Sequence, residues 1–349
     1  MGVLDMKTTI ITDLTALNEA AYILKSGGLV AAPTETVYGL CANALDENAV
    51  KNIYKAKGRP SDNPLIVHIA DLSMLSPLVK EVPPMAQTLI DHFWPGPLTL
   101  IFKASSLVPK VVTGGLDTVA VRFPSHPIIQ KLIKTSGLPL AAPSANTSGK
   151  PSPTNAPRVI EDLDGKIDAI IVGDSSKYGV ESTVVDATGE IATILRPGGI
   201  TAEMIEEVLG NVTMDPAIGH ALKEGEVPKA PGMKYTHYSP NAEVIIVDGD
   251  ETLVISKINE LITSAHNQGK KVGVLATDET KEHFVTDLVI SAGTTKNLTT
   301  IAAHLFEALR TFDDAHIDIV YSLAFPKEGI GNAIMNRLEK SAGYHTIKL

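Results

Sequence analysis

The sequence is poor in cysteine and in aromatic residues. Cys41 is the single cysteine among 349 residues. A disulfide within the chain and a zinc site built from several cysteines are therefore excluded, and we expect a reducing, cytoplasmic location. Phe, Trp and Tyr together make up 5% of the chain. This shortage disfavours a surface that binds RNA by stacking bases on aromatic rings.

The sequence also lacks a basic excess, a long apolar run and a secretion leader. Acidic residues number 40 against 30 basic ones, which gives a formal net charge of -10. A general nucleic-acid coat needs a positive field, so this balance disfavours one, although it is compatible with a local basic pocket. No apolar run approaches the ~20 residues that cross a bilayer. Residues 1–10 lack the basic segment and apolar core of a signal peptide, so we expect no membrane association.

What the sequence does contain is a rhythm of alternating strand and helix patterns. At roughly 150 residues per domain, the length predicts two domains. Through residues 1–208, apolar runs alternate with helical periodicity, which predicts an α/β domain whose helices cover a sheet. Strands are predicted at 29–32, 65–70, 98–102, 118–123, 138–142, 169–172, 182–186 and 193–195, and helices at 48–57, 84–93, 127–135, 156–162 and 201–209, with a further helix after Asp13.

The rhythm breaks at residues 209–241, which are rich in proline and glycine and are predicted to be a linker. It resumes in residues 242–349, which predict a second, small domain with a parallel sheet. This segment lacks the G-x-G-x-x-G turn of a dinucleotide-binding fold. Its strands are predicted at 244–247, 272–276, 288–291 and 317–323, and its helices at 251–265, 299–311 and 330–340.

Polar side chains cluster at the margins of the short strands in the first domain. Ligands of α/β proteins usually bind at strand ends. A hydroxyl-rich turn or an ordinary loop explains each cluster taken alone. Taken together, they suggest one polar cleft that holds an anionic ligand. The clusters occupy residues 33–40, 55–68, 118–124, 141–154, 179–184 and 195–199.

Several residues in these clusters have two interpretations. Lys55, Lys57 and Arg59 either complement the dipole of a helix C-terminus or grip phosphates from a loop fixed by proline and glycine. Arg122 lies in a strand, where a guanidinium requires an anion, either a structural carboxylate or a ligand. His68 ends an apolar strand and is either a structural histidine or a ligand contact.

The familiar nucleophile and metal motifs are absent. The sequence has no G-x-x-x-x-G-K-[ST] loop, no G-x-S-x-G elbow and no close His/Cys set. Cys41 adjoins the first polar cluster, where it is either a catalytic thiol or, as we favour, a small buried filler.

Seven strings carry a resemblance to a known family. In chain order they are PTETVYGL, KAKGRPSDNPLIVHI, WPGPLTLIFK, TVAVRFPSHP, APSANTSGKPSPT, GVESTVVD and ILRPGG. The chain resembles the YrdC family, and the string PGMKYTHYSP with a second α/β domain is similar to the long, two-domain form. The resemblance covers nearly the whole chain and implies a twisted mixed sheet with helices, followed by a small Rossmann-like domain.

The resemblance implies a reaction in which L-threonine, bicarbonate or CO2, and ATP give threonylcarbamoyl-AMP, pyrophosphate and water. The adenylate then serves the tRNA threonylcarbamoyl transferase machinery, which modifies adenosine 37 of tRNAs that read ANN codons. Mg2+ is expected with ATP, held mainly by phosphate oxygens and water. No organic cofactor, no protein metal site and no stable direct tRNA binding are expected.

The resemblance also implies roles for particular residues. Lys57 and Arg59 are expected to be catalytic, because cations offset charge on the phosphates and at the attacked phosphorus. The expected threonine contacts are Thr36, His68, Arg122, Ala142 and Ser182, and the expected ATP contacts are Arg59, Asn63, Thr118, Ser144, Ser152, Arg196 and Tyr235.

Tyr235 lies in the linker, so an ATP contact there makes the linker a lid that excludes water from the cleft. The alternative is that Tyr235 only pins the linker to the surface. Two rival functions are weighed: an RNA-binding module, disfavoured by charge and composition, and a hydrogenase-type carbamoyl transferase, disfavoured by the single cysteine.

Overall fold

The structure is a computed structural model that describes residues 7–219 and 238–349. Tyr235, predicted to contact ATP, lies outside the described residues. The described chain forms two compact units, one of residues 7–148, 152–177 and 181–219, the other of residues 149–151, 178–180 and 238–349. None of the described helices is long and apolar enough to span a membrane.

The first unit is built on a mixed sheet. Its described strands follow the spatial order β1-β8-β2-β3-β7-β4-β6-β5-β9-β10-β11, with parallel and antiparallel neighbours intermixed. The strands are β1 Thr9–Ile11, β2 Val30–Ala32, β3 Gly39–Asn43, β4 Ile66–His68, β5 Leu98–Lys103, β6 Thr118–Arg122, β7 Leu140–Ala141, β8 Ala169–Ile171, β9 Thr183–Asp186, β10 Thr193–Arg196 and β11 Thr213–Met214.

Capping residues mark the ends of the helices in the first unit, as the second helix shows. Asp46 caps the second helix by accepting from the backbone N–H groups of Asn48 and Ala49. Gly58 ends the same helix with φ of 63°, a left-handed conformation that glycine adopts without a Cβ penalty. The helices are α1 Leu17–Lys25, α2 Glu47–Lys57, α3 Pro84–Phe93, α4 Lys110–Thr113, α5 Pro127–Ser136, α6 Ala156–Leu163 and α7 Ala202–Leu209.

Side chains alternate across the sheet, so its two faces have separate cores. On one face, Leu40, Val67 and Val121 belong to the main cluster, which includes residues of α2, α3 and α6. On the other face, α1 and α5 cover the half of the sheet around β2, β7 and β8. The remaining half of that face, on β4, β5, β6, β9 and β10, carries a separate small apolar cluster.

The second unit is a parallel sheet in the order β14-β13-β15-β12-β16, with every described pairing parallel. Its core includes Val247, Ile258 and Val274. The strands are β12 Glu243–Asp248, β13 Val272–Ala276, β14 Leu288–Ser291, β15 Ile319–Leu323 and β16 Thr346–Lys348, and the helices are α8 Glu251–Asn267, α9 Leu298–Asp314 and α10 Gly331–Ser341.

The predicted fold class is confirmed, and every strand predicted from the sequence is present. The sequence reasoning missed β1, β3, β11 and β16. Strand β3 was concealed because its first residues belong to the polar cluster at 33–40. Strand β11 lies inside the predicted linker 209–241 and pairs with β10 through Thr193 and Thr213. The exact domain boundaries stay a prediction.

Candidate active site

The site is built on the sheet face that carries the small apolar cluster. That cluster consists of Ile66, Ile101, Ala120, Val184 and Leu195, all from β4, β5, β6, β9 and β10. Residues two positions away along a strand project from the same face. The face therefore also carries a set of polar side chains: His68, Thr99, Thr118, Arg122 and Ser182.

Arg122 is the centre of a buried polar cluster at the end of β6. Its Nη1 donates to Oγ1 of Thr36 at 2.8 Å, and its Nε donates to the carbonyl oxygen of Gly96 at 3.3 Å. Its Nη2 lies 2.7 Å from Oε1 of Glu35. Arg122 is 3% exposed and Glu35 is 5% exposed. The structural carboxylate that a strand arginine requires is therefore present.

The Glu35 carboxylate stays ionised because of this neighbour. Burial alone would raise the pKa of Glu35, but the Arg122 charge and the N–H of Ser125, which donates to Oε1 at 3.0 Å, outweigh it. The net effect lowers the pKa. The pair therefore presents a fixed positive and a fixed negative charge side by side.

His68 lies beside Arg122 in the neighbouring parallel strand. Burial, and then the Arg122 charge, lower the pKa of His68 to about 3. The ring is therefore neutral near pH 7. Because Nδ1 lies 3.2 Å from the carbonyl oxygen of Ile66, which can only accept, Nδ1 holds the proton and Nε2 is left as an acceptor.

Ser182 and Arg196 form the next part of the site. Thr99 lies between them and Arg122. Thr99 is the cross-strand partner of Arg122, and its hydroxyl lies 2.8 Å from Oγ of Ser182. Arg196 donates to the carbonyl oxygen and to Oγ of Ser182, each at 3.1 Å. Gly198 permits this approach, since a Cβ there would lie 2.3 Å from the backbone N of Thr183.

Lys57 and Ser144 meet at the other end of the central strands. The Lys57 ammonium donates to the carbonyl oxygens of Ser144 and Asn146 and to Oδ1 of Asn146. Oγ of Ser144 donates to the same Oδ1. Lys57 is 2% exposed. These hydrogen bonds hold the loop of residues 144–146 against Lys57, 87 residues away in sequence.

Arg59 and Asn63 lie in the loop between α2 and β4. Arg59 donates to the carbonyl oxygens of Asn63 and Pro64 at 3.4 and 3.3 Å, and its guanidinium lies 6.0 Å from the ring centroid of Tyr54. The Asn63 side chain is fully buried, and its amide has no hydrogen-bond partner among the described residues. A buried, unsatisfied amide is a costly feature that a ligand would relieve.

The remaining predicted residues are Thr118, Ala142 and Ser152. Thr118 begins β6, four residues before Arg122 and therefore about 13 Å from it at ~3.3 Å per residue. Ala142 follows β7 and donates its N–H to the carbonyl oxygen of Ile66. Oγ of Ser152 donates to Oε1 of Glu181, the residue before Ser182.

The structure therefore brings together two groups of the predicted residues. Thr36, His68, Arg122, Ser182 and Arg196 lie at one end of the sheet face. Asn63, Thr118 and Ser144 lie at the opposite ends of β4, β6 and β7, with Lys57 and Arg59 beside them. Four residues of the first group belong to the predicted threonine set, and Asn63, Thr118 and Ser144 belong to the predicted ATP set. Arg196, predicted for ATP, contacts Ser182, predicted for threonine. The assignment of each set to its ligand stays a prediction.

The sequence analysis assigned no role to Glu35, Thr99 or Glu181, although Glu35 and Glu181 lie in two of the predicted polar clusters. Glu35 adjoins Thr36 in a polar string, and the unanswered charge on Arg122 was a usable signal for it. Thr99 and Glu181 gave no such signal, because their partners are 83 and 29 residues away.

Cys41 and the acidic and histidine side chains form neither a reactive thiol nor a metal-binding cluster among the described residues. Cys41 is fully buried, and burial raises the pKa of its thiol to about 12. It is therefore a filler of the core under α1 and α5, as favoured from the sequence. Across residues 7–219 and 238–349, no cluster of three or more His, Cys, Asp or Glu side chains is arranged to hold a metal ion.

The fold and this buried polar cluster define an α/β protein with a mixed-sheet unit and a second, parallel-sheet unit. A family model described as "Telomere recombination" matches residues 22–198, and one described as "Threonylcarbamoyl-AMP synthase, C-terminal domain" matches residues 200–343. The chain belongs to the threonylcarbamoyl-AMP synthase family.

Individual relatives match over nearly the full length. A threonylcarbamoyl-AMP synthase of Pyrococcus abyssi is 52% identical over 95% of both chains. One of Bacillus subtilis is 49% identical over 99% of this chain and 98% of its own. The crystal structure of P. abyssi Sua5 complexed with L-threonine superposes with a TM-score of 0.93 at 50% identity, covering 98% of this chain and all of that one.

Proposed function

We propose that this chain joins L-threonine, bicarbonate or CO2, and ATP into threonylcarbamoyl-AMP and releases pyrophosphate and, from bicarbonate, water. The observation that carries the proposal is the near-complete match to synthases at 49–52% identity, supported by a buried cluster that suits an amino acid. The product would serve the tRNA threonylcarbamoyl transferase machinery. The alternative, an RNA-binding module, has the acidic composition against it.

Threonine occupies, in this proposal, the end of the face around Arg122. A guanidinium suits a carboxylate because its donors match the two oxygens. Arg122 already holds Glu35 and Thr36, so the threonine carboxylate joins an existing cluster rather than meeting an isolated cation. Thr36, Ser182 and the neutral His68 supply hydroxyls and an acceptor for the substrate hydroxyl. A site that bonds this hydroxyl discriminates against valine.

ATP occupies the opposite end. Arg59 carries charge toward the phosphates, and the buried Asn63 amide, Thr118 and Ser144 supply donors and acceptors. Lys57 contributes indirectly in this proposal, since its ammonium is committed to the loop that presents Ser144. In this proposal Ser152 and Arg196 are further ATP contacts, although Arg196 lies at the threonine end of the face. Tyr235 completes the ATP contacts as part of a lid.

The chemistry needs no enzyme nucleophile. The neutral threonine amine adds to CO2 and loses a proton to give a carbamate. A carbamate oxygen then attacks the α-phosphorus, and the bond from that phosphorus to the pyrophosphate oxygen breaks. Holding the three reactants in order supplies much of the rate acceleration. The cations Arg59 and Arg196 offset charge on the phosphates. We propose that Mg2+ arrives with ATP and is held mainly by phosphate oxygens and water, and that the protein works in the cytoplasm.

Exchange of labelled pyrophosphate into ATP tests the proposal. The synthase function predicts exchange that requires both threonine and bicarbonate. Omission of either substrate should abolish it, and valine should not replace threonine. Exchange independent of threonine, or salt-sensitive RNA binding without exchange, would reject the synthase and favour the alternative.

A further inference from the structure

Glu35 has an unused carboxylate oxygen in the buried cluster around Arg122. Its Oε1 forms the ion pair with Arg122 at 2.7 Å and accepts a hydrogen bond from the N–H of Ser125 at 3.0 Å. Its Oε2 is buried and has no hydrogen-bond partner among the described residues. An ionised oxygen without a donor is costly in a buried place, so its persistence calls for a partner that the protein itself does not supply.

Arg122 has a matching donor. Its Nη2 lies against Glu35 but makes no well-directed hydrogen bond within the described chain, whereas Nη1 and Nε are satisfied by Thr36 and Gly96. The pair therefore carries one incompletely used donor on the cation and one unused acceptor on the anion. Both residues are more than nine-tenths buried.

We propose that the Glu35–Arg122 pair is a receptor for both charges of an α-amino acid, with Oε2 of Glu35 accepting from the substrate amine. Arg122 faces the substrate carboxylate. This assignment rests on the proposed function, and it adds Glu35 as the residue that recognises the amine. Conversion of the substrate ammonium and CO2 to a carbamate releases two protons, which go to solvent rather than to Glu35 in this role. The remaining carbamate N–H still donates to the same oxygen.

The arrangement has a physical advantage over Arg122 alone. A lone buried guanidinium would attract any small carboxylate or phosphate. With Glu35 beside Arg122 the cluster is nearly neutral, so the binding free energy of a simple anion is less favourable. A zwitterion contacts Arg122 through its carboxylate and Glu35 through its amine. Glu35 is therefore a specificity determinant that distinguishes amino acids from hydroxy acids.

The test compares threonine with 2,3-dihydroxybutanoate of the same configuration, which replaces the amine by a hydroxyl. Calorimetric titration of the full chain should show wild type preferring threonine by on the order of 10- to 100-fold, as expected for one charge-assisted hydrogen bond. In Glu35→Gln the preference should fall to within a few-fold of unity. Glu35→Asp, which keeps the charge, should retain a measurable part of it.

Three outcomes separate the explanations. If wild type does not discriminate between the two compounds, the inference is wrong, whatever the variants do. If Glu35→Gln weakens both compounds equally and keeps their ratio, Glu35 only positions Arg122 and the inference is also wrong. If wild type binds neither compound, the proposed function itself fails. Thermal melting of each variant shows whether it folds. If a variant does not fold, the inference is judged from the affinities of wild type for threonine and for 2,3-dihydroxybutanoate.

Discussion

Arg196 donates two hydrogen bonds to Ser182, from Nε to the carbonyl oxygen and from Nη2 to Oγ, each at 3.1 Å. The sequence resemblance assigns Arg196 to ATP and Ser182 to threonine. The contact therefore couples the two expected binding regions across β9 and β10. A substitution of either residue should therefore weaken the binding of both threonine and ATP.

Arg196→Ala should weaken threonine and ATP together. The guanidinium fixes the Ser182 hydroxyl, and a lost hydrogen bond to a charged group costs about 1.5–3 kcal/mol, or roughly 10- to 100-fold. Titration with each ligand measures both losses. Lys51→Ala is the control for loss of a cation, because the Lys51 side chain is 57% exposed and its ion pair within α2 is with the exposed Glu47. Loss of ATP binding with unchanged threonine binding would show that the coupling is absent.

Arg59→Ala and Lys57→Met should fail in different ways. Arg59→Ala should reduce adenylate formation by on the order of 100-fold or more at saturating ATP, with little change in melting temperature. Lys57→Met removes the donor to the 144–146 loop, so it should also lower the free energy of unfolding by roughly 1–3 kcal/mol. Turnover assays and urea unfolding distinguish the two. A fully stable Lys57→Met without activity would instead favour direct phosphate contact by Lys57.

Arg122→Lys should weaken threonine more than ATP. Lysine keeps the positive charge beside Glu35, but it cannot contact Thr36, Gly96 and a ligand carboxylate in the fixed geometry of a guanidinium. Isothermal titration with each ligand tests this. An equal loss for both ligands, or a loss confined to ATP, would contradict the place of Arg122 in the threonine site.

His68 should make the fold less stable as the pH falls below its ordinary pKa. The folded pKa is about 3, whereas an unfolded histidine titrates near 6.5. Between these values the unfolded chain binds the extra proton, so the slope from His68 is at most about 1.4 kcal/mol per pH unit. The stability of His68→Gln should therefore fall less than that of wild type between about pH 7 and about pH 5. Equal falls would mean that His68 is not held neutral.

Tyr235→Ala in the full chain should lower the yield of adenylate per ATP consumed. The expected reason is loss of a lid contact that keeps water from a labile product. Melting temperature should not change, because the residue is not expected to belong to a core. Tyr235→Phe, the control, separates loss of the hydroxyl from loss of the ring. An unchanged yield in the alanine variant would leave the linker as a spacer.

The repeating elements of the fold were predictable because their signals are local. Helix α3 and strands β13 and β14 have the predicted bounds, since periodicity and flanking proline or glycine mark them. Strands β1, β11 and β16 have two or three residues each. Such short strands exist through pairing with distant neighbours, and a local pattern cannot reveal the neighbour.

The candidate site was predictable in its residue types but not in its contacts. The charge of Arg122 predicted that an anion lies beside it. The sequence did not indicate that this anion is Glu35, 87 residues earlier in the chain. Lys57 looked like a phosphate ligand because the chain around it is basic. Its actual partners at Ser144 and Asn146 depend on how α2 and β7 are brought together. Tertiary contacts of this kind decide whether a cation supports a loop or meets a substrate.

Mass spectrometry of the product made from ATP, threonine and carbon-13 bicarbonate shows most directly whether the protein is a synthase. The synthase should form threonylcarbamoyl-AMP that carries a single carbon-13 atom, together with pyrophosphate. Arg59→Ala should reduce this product by on the order of 100-fold or more. An adenylate without the label, or ATP cleavage to AMP with no threonine in the product, would contradict the synthase function.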